Sequence, residues 1–306
     1  MITSAAETRL VSILPSDPAN LWVRDLRNGE LRTYQVSRAE RLTVYGGTED
    51  HFALVHHYGN GKIDITAHTF DKVPEVVSAL HMDAMGQRFE GPQEVWKHLP
   101  IAYLFAGRNR YNTLETQVLV VDASRRHATA YTFPSEADLL LGDTGSMEGV
   151  AEANGGPLLI STDKGGVYLV NPFRWKAMQT VVEKGTATCA CAVSYRHKES
   201  EFWVADANRI IRLRKRMLRP WSPVGELPIS AGSSGEKLQR VAISFSASGN
   251  MAVVIRPDRQ EAIVVDCTTF AVARRLAWRG AEQATTVLNS GRIVGREPAT
   301  GELLEA

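Results

Sequence analysis

One recurring pattern constrains the fold of this chain more than any other feature. An apolar run ends at a fixed polar position, a short turn follows, and a second run begins, as in VLVVDASRRHATAYTF and AIVVDCTTFAVARRLAW. The copies align on Asp25, Thr66, Asp122, Asn171, Arg214 and Asp266. Successive copies are about 48 residues apart, which is the length of a repeated supersecondary unit.

The residue types within each unit favour strands over helices. Runs of four to seven residues rich in Val, Ile, Tyr and Thr are separated by Gly, Asn and Asp, as in residues 149–173 and 240–267. Only three short segments, 73–80, 90–99 and 135–142, are predicted as helices, and we interpret them as insertions between units. The sequence therefore predicts an all-β fold.

The length of the unit predicts a β-propeller. A single antiparallel unit of this size cannot bury both of its faces, whereas units stacked radially cover one another. Five complete units lie between about residues 41 and 278, and both ends carry further strand fragments. We expect a single domain over residues 1–306 with seven blades of mostly four antiparallel strands, or alternatively six. The ring is expected to close by pairing of N-terminal with C-terminal strands.

The plan of these units resembles the WD40/YVTN class of β-propellers. The segments VVDA and VVDC occupy the place where WD40 repeats carry a strand ending in Trp-Asp. The Gly-His and Trp-Asp dipeptides that define WD40 repeats are absent, so the resemblance is one of architecture. It implies a rigid disc whose loops bind other molecules.

Charge and cysteine content exclude several classes of protein. The net charge of +1 provides no overall field for nucleic acid or anionic membranes. Three cysteines, at positions 189, 191 and 267, argue against a disulfide framework. With no apolar window long enough to span a bilayer, we expect a cytoplasmic protein that does not bind membranes.

A dense basic segment is the first candidate contact site. Residues 209–219 carry six cations without an intervening acid, namely Arg209, Arg212, Arg214, Lys215, Arg216 and Arg219. Such a segment can bind phosphates or an acidic partner. Alternatively, it is an outer strand with a charged solvent face, since Ile211 and Leu213 alternate with the arginines.

A group of large apolar residues is the second candidate. Residues 81–98 and 134–146 are predicted to be the longest loops, and the first of them contains Met82, Met85, Phe89 and Trp96. If these side chains are exposed, they form an adhesive patch; if they cover their own domain, they belong to its core. We favour the second interpretation.

Catalytic and metal-binding signatures are weak. His51, His56, His57 and His68 do not follow a zinc-ligand spacing, and we predict neither a metal nor a cofactor. Candidate acids for an enzyme site in the central channel are Glu148, Glu152 and Asp206, but sequence cannot assemble them into a site.

The sequence therefore favours a non-enzymatic interaction or scaffold module that binds a protein or peptide through loops of the propeller face. Two alternatives remain open. One is a propeller enzyme with a lactonase-like or lyase-like site in the channel. The other is binding of nucleic acid or an acidic partner through residues 209–219.

Overall fold

The structure is a computed structural model of the whole chain. The residues that it describes are 1–4, 6–14, 17–36, 39, 41–46, 51–58, 62–71, 73–83, 86–92, 101–108, 114–122, 127–133, 147–152, 158–162, 166–171, 176–183, 190–194, 201–205, 208–215, 221–229, 241–281 and 285–306.

The described residues form 27 strands that assemble into seven antiparallel sheets. Sheet 1 contains β1 (Ile2–Thr3), β2 (Arg9–Leu14), β3 (Asp17–Asp25) and β4 (Leu31–Gln35). Sheet 2 contains β5 (Arg41–Gly46), β6 (His51–Tyr58), β7 (Lys62–Thr69), β8 (Val76–Asp83) and β9 (Gly86–Glu90). Sheet 3 contains β10 (Ile101–Arg108), β11 (Leu114–Asp122) and β12 (His127–Phe133). Sheet 4 contains β13 (Met147–Glu152), β14 (Leu158–Thr162), β15 (Val167–Asn171) and β16 (Lys176–Val182).

The remaining three sheets follow in chain order. Sheet 5 contains β17 (Ala190–Ser194), β18 (Glu201–Ala205), β19 (Arg209–Lys215) and β20 (Trp221–Pro228). Sheet 6 contains β21 (Ala242–Phe245), β22 (Met251–Arg256), β23 (Glu261–Asp266) and β24 (Ala271–Ala277). Sheet 7 contains β25 (Thr285–Val287), β26 (Ile293–Arg296) and β27 (Leu303–Glu305). The all-β prediction is confirmed.

Every sheet is a meander in which each strand pairs with the strand that precedes it in the chain. From sheet 3 onward, the first strand of one sheet also contacts the first strand of the next, in the series β10, β13, β17, β21 and β25. The first strands of these sheets therefore lie side by side. The later strands of each sheet lie progressively farther from the first strands of the neighbouring sheets.

The repeated polar position marks the end of the third strand in three of the sheets. Asp25 ends β3, Asn171 ends β15 and Asp266 ends β23. The Oδ1 atom of Asp266 accepts hydrogen bonds from the backbone N–H groups of Thr268 (2.7 Å) and Thr269 (3.1 Å). The side chain thus holds the turn into β24, which explains why Asp recurs there.

Apolar clusters fill four of the contacts between consecutive sheets. Sheets 1 and 2 share Val11, Val23, Phe52 and Leu54, and comparable clusters join sheets 4 and 5, sheets 5 and 6, and sheets 6 and 7. Because strand side chains alternate between faces, a sheet in these contacts can present one apolar face to each neighbour. Burial on both faces is what makes a stack of meanders stable.

The first and last sheets also contact each other, and we call this contact the seam. A small cluster there contains the buried residues Leu10, Leu288 and Val294, with Met1 and Leu303 packed against it. Among the described strands, those of sheets 1 and 7 belong to separate ladders. The seam is therefore formed by side chains in the part of the chain that the structure describes.

One helix prediction was wrong. Residues 73–80 were expected to be helical, but β8 begins at Val76 and pairs with β7, so this segment supplies the fourth strand of sheet 2. The predicted loop at 81–98 likewise contains the end of β8 and all of β9. Residues 93–98 and 134–146 lie outside the described residues. Within the described residues, no helix is long and apolar enough to cross a membrane.

Candidate functional site

The basic segment lies on β19, which is an interior strand. It pairs with β18 on one side and with β20 on the other, so the expectation of an outer strand was wrong. Ile211 and Leu213 are buried against sheet 4, in agreement with the alternation seen in the sequence. Arg212 and Arg214 point to the opposite face, toward sheet 6.

Glu201 on β18 is the partner of both of these arginines. Its side chain is buried, and the register places it directly across from Arg214. Glu201 Oε1 accepts hydrogen bonds from Nε (2.8 Å) and Nη2 of Arg214, and Oε2 lies 3.6 Å from Nε of Arg212. One buried carboxylate thus compensates two guanidinium groups.

Aromatic side chains complete this cluster. The indole N–H of Trp203 donates to Glu201 Oε2 at 3.3 Å, and the guanidinium of Arg212 lies 4.7 Å from the ring centre of Phe270. The rings of Trp203 and Phe270 meet edge to face at 5.2 Å. The cluster joins sheets 5 and 6, and its arginines contribute to that contact.

Arg209 points to the other face of the strand. Its Nη1 donates to Glu226 Oε1 on β20 at 3.0 Å, and both side chains are well exposed. Similar exposed pairs lie at the last strands of sheets 1 and 2, namely Arg32 with Glu30, which directly precedes β4, and Arg88 with Glu90 on β9. These pairs give the outer strands a mixed charge.

The structure therefore divides the basic segment that looked continuous in the sequence. Arg212 and Arg214 face sheet 6 with Glu201, whereas Arg209 faces away from them beside Glu226. Lys215 ends β19, and Arg216 and Arg219 lie outside the described residues. In the described part of the strand, the arginines do not form one contiguous basic face.

Two of the four apolar candidates pack on their own sheet. Met82 on β8 and Phe89 on β9 are partly buried against a cluster that includes Ile63, Ile65 and Leu80. This is the packing interpretation favoured from the sequence. Met85 and Trp96 lie outside the described residues.

The histidines form a buried polar network within sheet 2. Thr66 Oγ1 lies 2.9 Å from Nε2 of His56 and 2.8 Å from Nε2 of His68. Burial lowers the pKa of both histidines to about 4, so both are neutral at pH 7. His81 Nδ1 lies 2.9 Å from Oδ1 of Asp64 on the adjacent strand.

No three described His, Cys, Asp or Glu side chains are grouped so that they could hold a metal ion. The candidate acids Glu148 and Glu152 lie on β13, and Asp206 lies outside the described residues.

A cavity at the seam was not anticipated from the sequence. It has a volume of about 430 Å³ and is lined by Leu10, Ser12, Trp22, Arg24, Leu31, Arg296, Thr300, Gly301, Glu302 and Leu303. The guanidinium of Arg296 stacks on the ring of Trp22 at 3.9 Å. These two residues come from near opposite ends of the chain, so no local motif marks the site.

The repeated meanders, with first strands side by side and apolar clusters between sheets, define a protein of the β-propeller class. No family model matches this chain, and no curated protein matches it. Two solved structures show the similarity.

The first is the β-propeller domain of Cps50 (Swd1) from Myceliophteria thermophila, with a TM-score of 0.58 and 12% identity over 99% of this chain and 95% of that one. The second is Raptor from Chaetomium thermophilum, with a TM-score of 0.60 and 15% identity over 99% of this chain and 27% of that one. The chain thus spans about a quarter of the Raptor structure. At these identities the similarity establishes the fold, which is that of a β-propeller.

Proposed function

We propose that this chain is a non-enzymatic interaction module that binds a protein or peptide partner. Each of the seven sheets is proposed to form one blade of a single propeller domain over residues 1–306. A cytoplasmic location belongs to the same proposal, and the low cysteine count supports it. The similarity to the β-propeller domain of Cps50 (Swd1) agrees with a docking role without identifying the partner.

The paired charges of the outer strands carry this proposal. Arg209 with Glu226, Arg32 with Glu30, and Arg88 with Glu90 each place an exposed cation beside an exposed anion at the last strand of a sheet. A surface of this kind can complement the mixed charges of another protein. A polynucleotide requires an extended field of one sign, which these pairs interrupt.

The proposed contact surface is the exposed part of segment 209–219. Met85, Trp96 and the segment at 134–146 are further candidate contacts from the sequence and lie outside the described residues. Arg209 is the best-defined member because its guanidinium is exposed and its partner Glu226 is known. Arg214 is less suitable for testing, since its substitution would also leave the buried carboxylate of Glu201 without a counter-charge.

Affinity capture from cells of the source organism, followed by mass spectrometry, tests this proposal. The bait is the wild-type chain, the Arg209→Glu variant, or the charge-swapped double variant R209E/E226R. We expect the wild-type chain to recover a partner even after nuclease treatment. The Arg209→Glu variant should no longer recover this partner. The charge-swapped variant keeps the ion pair and serves as the control for folding.

Two results would contradict the proposal. Recovery that disappears after nuclease treatment, with a steep loss of binding in salt, would favour nucleic acid as the ligand. Turnover in a screen of lactones and esters would favour the enzyme alternative instead.

A further inference from the structure

The seam differs in what fills it from the contacts between sheets 1 and 2, sheets 4 and 5, sheets 5 and 6, and sheets 6 and 7. In those contacts apolar side chains pack against each other, as in the nine buried residues shared by sheets 4 and 5. At the seam the described cluster holds three buried apolar residues. Beside it lies the cavity of about 430 Å³, which polar and charged side chains line together with leucines. A volume of this size is typical of small-molecule sites.

One wall of the cavity is the polar face of sheet 1. Residues on β2 and β3 alternate, so Val11 and Val23 face sheet 2 while Ser12, Trp22 and Arg24 face sheet 7. The register places Ser12 opposite Trp22. The alternation of side chains along β2 and β3 therefore places hydrogen-bond donors on this wall of the cavity.

Two of these donors are buried without an acceptor. Among the described residues, the indole N–H of Trp22 and the Nε of Arg24 have no hydrogen-bond partner. Burying a donor in this state is costly, and native proteins satisfy nearly all such groups. Arg24 Nη2 lies 3.5 Å from Glu305, so one edge of its guanidinium is paired while Nε is not.

Arg296 from sheet 7 fixes the opposite wall. It is buried, its Nε donates to the carbonyl oxygen of Gly301 at 2.8 Å, and its guanidinium covers the ring of Trp22. The stack holds the indole in one orientation. Two guanidinium groups thus lie around the cavity, with Glu302 as the acid among the lining residues.

Three leucines also line the cavity. Leu10 and Leu303 form part of the wall, and Leu31 is 48% exposed, which makes it one of the most exposed large apolar side chains in the described part of the chain. Donors therefore lie beside an apolar surface. A ligand that matches both carries an acceptor-rich anion next to an aliphatic group.

We propose that the seam cavity binds a carboxylate with an adjacent aliphatic group, such as the C-terminal residue of a peptide or a free small carboxylic acid. The carboxylate accepts hydrogen bonds from Trp22 Nε1 and Arg24 Nε after these two side chains turn toward the cavity, and the aliphatic group packs on Leu10, Leu31 and Leu303. Where the ligand is a peptide, this inference rests on the proposed function and identifies the end of the partner; where it is a free acid, it stands alone.

Isothermal titration calorimetry with three probes tests the proposal. The probes are 4-methylpentanoate, the peptide acetyl-Gly-Gly-Leu with a free carboxylate, and the same peptide as its amide. We expect saturable binding of at least one carboxylate with a Kd between ~10 µM and 1 mM, as is usual for ligands of this size. The amide is expected to bind about tenfold more weakly or worse, because charge-assisted hydrogen bonds are lost.

Substitutions of cavity residues test whether the probes bind in the seam cavity. Arg24→Gln and Trp22→Phe each remove one unpaired donor, and both are expected to raise the Kd about tenfold. Leu31→Glu adds a negative charge at an exposed position without disturbing the core and is expected to weaken binding similarly. Arg279→Gln is the matched control, since this arginine is 65% exposed and does not line the cavity.

The binding results distinguish the two ligand sources and can also refute the inference. Tighter binding of the peptide acid than of 4-methylpentanoate identifies a peptide C-terminus, and the reverse identifies a free acid. No saturable binding of either carboxylate, equal binding of acid and amide, or binding that is unaffected by both Arg24→Gln and Leu31→Glu overturns the inference. Partner capture through Arg209 is a separate measurement, so its failure leaves this test intact.

Discussion

Removal of the Glu201 carboxylate should destabilise the contact between sheets 5 and 6. The Glu201→Gln variant keeps the size of the side chain but removes the charge that compensates Arg212 and Arg214. Removing one partner of a buried ion pair costs ~3–5 kcal/mol. The side chains of Arg212 and Arg214 are 18% and 40% exposed, and water therefore offsets part of this cost. We expect a loss of about 3 kcal/mol for Glu201→Gln.

Thermal unfolding followed by circular dichroism measures this loss. For a chain of this size, 1 kcal/mol lowers Tm by about 2 °C, so the expected shift is about 6 °C. The matched control is Glu226→Gln, which removes the acid of the exposed pair with Arg209. Exposed pairs contribute less than ~1 kcal/mol, and the control should melt within about 2 °C of the wild type.

A double-mutant cycle tests the mechanism behind that shift. The variant E201A/R214A should be more stable than the sum of the single substitutions predicts, by ~1–3 kcal/mol, because Glu201→Ala alone leaves both Arg212 and Arg214 without this carboxylate, whereas the double variant leaves Arg212. Two results would refute this reasoning: a Tm of Glu201→Gln equal to that of the wild type, or additive effects of Glu201→Ala and Arg214→Ala on the free energy of unfolding. Either would show that the buried carboxylate does not compensate the arginines.

Three further predictions follow from local structure. His56 and His68 have pKa values lowered to about 4, below the ~6.5 of an unfolded histidine, so the unfolded chain binds more protons between these values and stability falls as pH is lowered from 6.5 to 4. Urea unfolding at pH 7.5 and 5 should show this loss, and it should be smaller in His68→Asn. Gly91 has φ +81°, and an added Cβ would lie 2.7 Å from the carbonyl oxygen of Val77, so Gly91→Ala should cost about 2 kcal/mol in urea unfolding; a neutral effect would contradict the geometry. Asp266→Ala removes both turn hydrogen bonds and should cost about 1–2 kcal/mol, whereas Asp266→Asn should restore most of this loss.

The strand class and the repeat could be predicted from sequence because both are local. Alternating apolar residues and the Asx turn at Asp266 appear within a few positions of each other. The segment 73–80 was misassigned because its apolar spacing also fits a helix, and only the pairing of β8 with β7 decides between them. Local pattern cannot supply that pairing.

The candidate sites were harder to predict because they depend on register. The sequence shows six cations within residues 209–219 and no acid among them. The acids come from neighbouring strands, because Glu201 on β18 pairs with Arg214 and Glu226 on β20 pairs with Arg209. The seam cavity is more remote still, since Trp22 and Arg296 meet only when the first and last sheets come together.

The seam joins sheets 1 and 7 through side chains, and no strand pairing between their described strands crosses it. The chain could therefore begin at a different sheet without breaking a described strand pairing. Met1 and Leu303 pack on the same small cluster, so the two ends of the polypeptide are near neighbours. A circular permutant that links these ends and opens the chain between sheets 5 and 6 would retain each described strand pairing. In such a molecule the cavity would lie inside a continuous polypeptide rather than between its first and last strands.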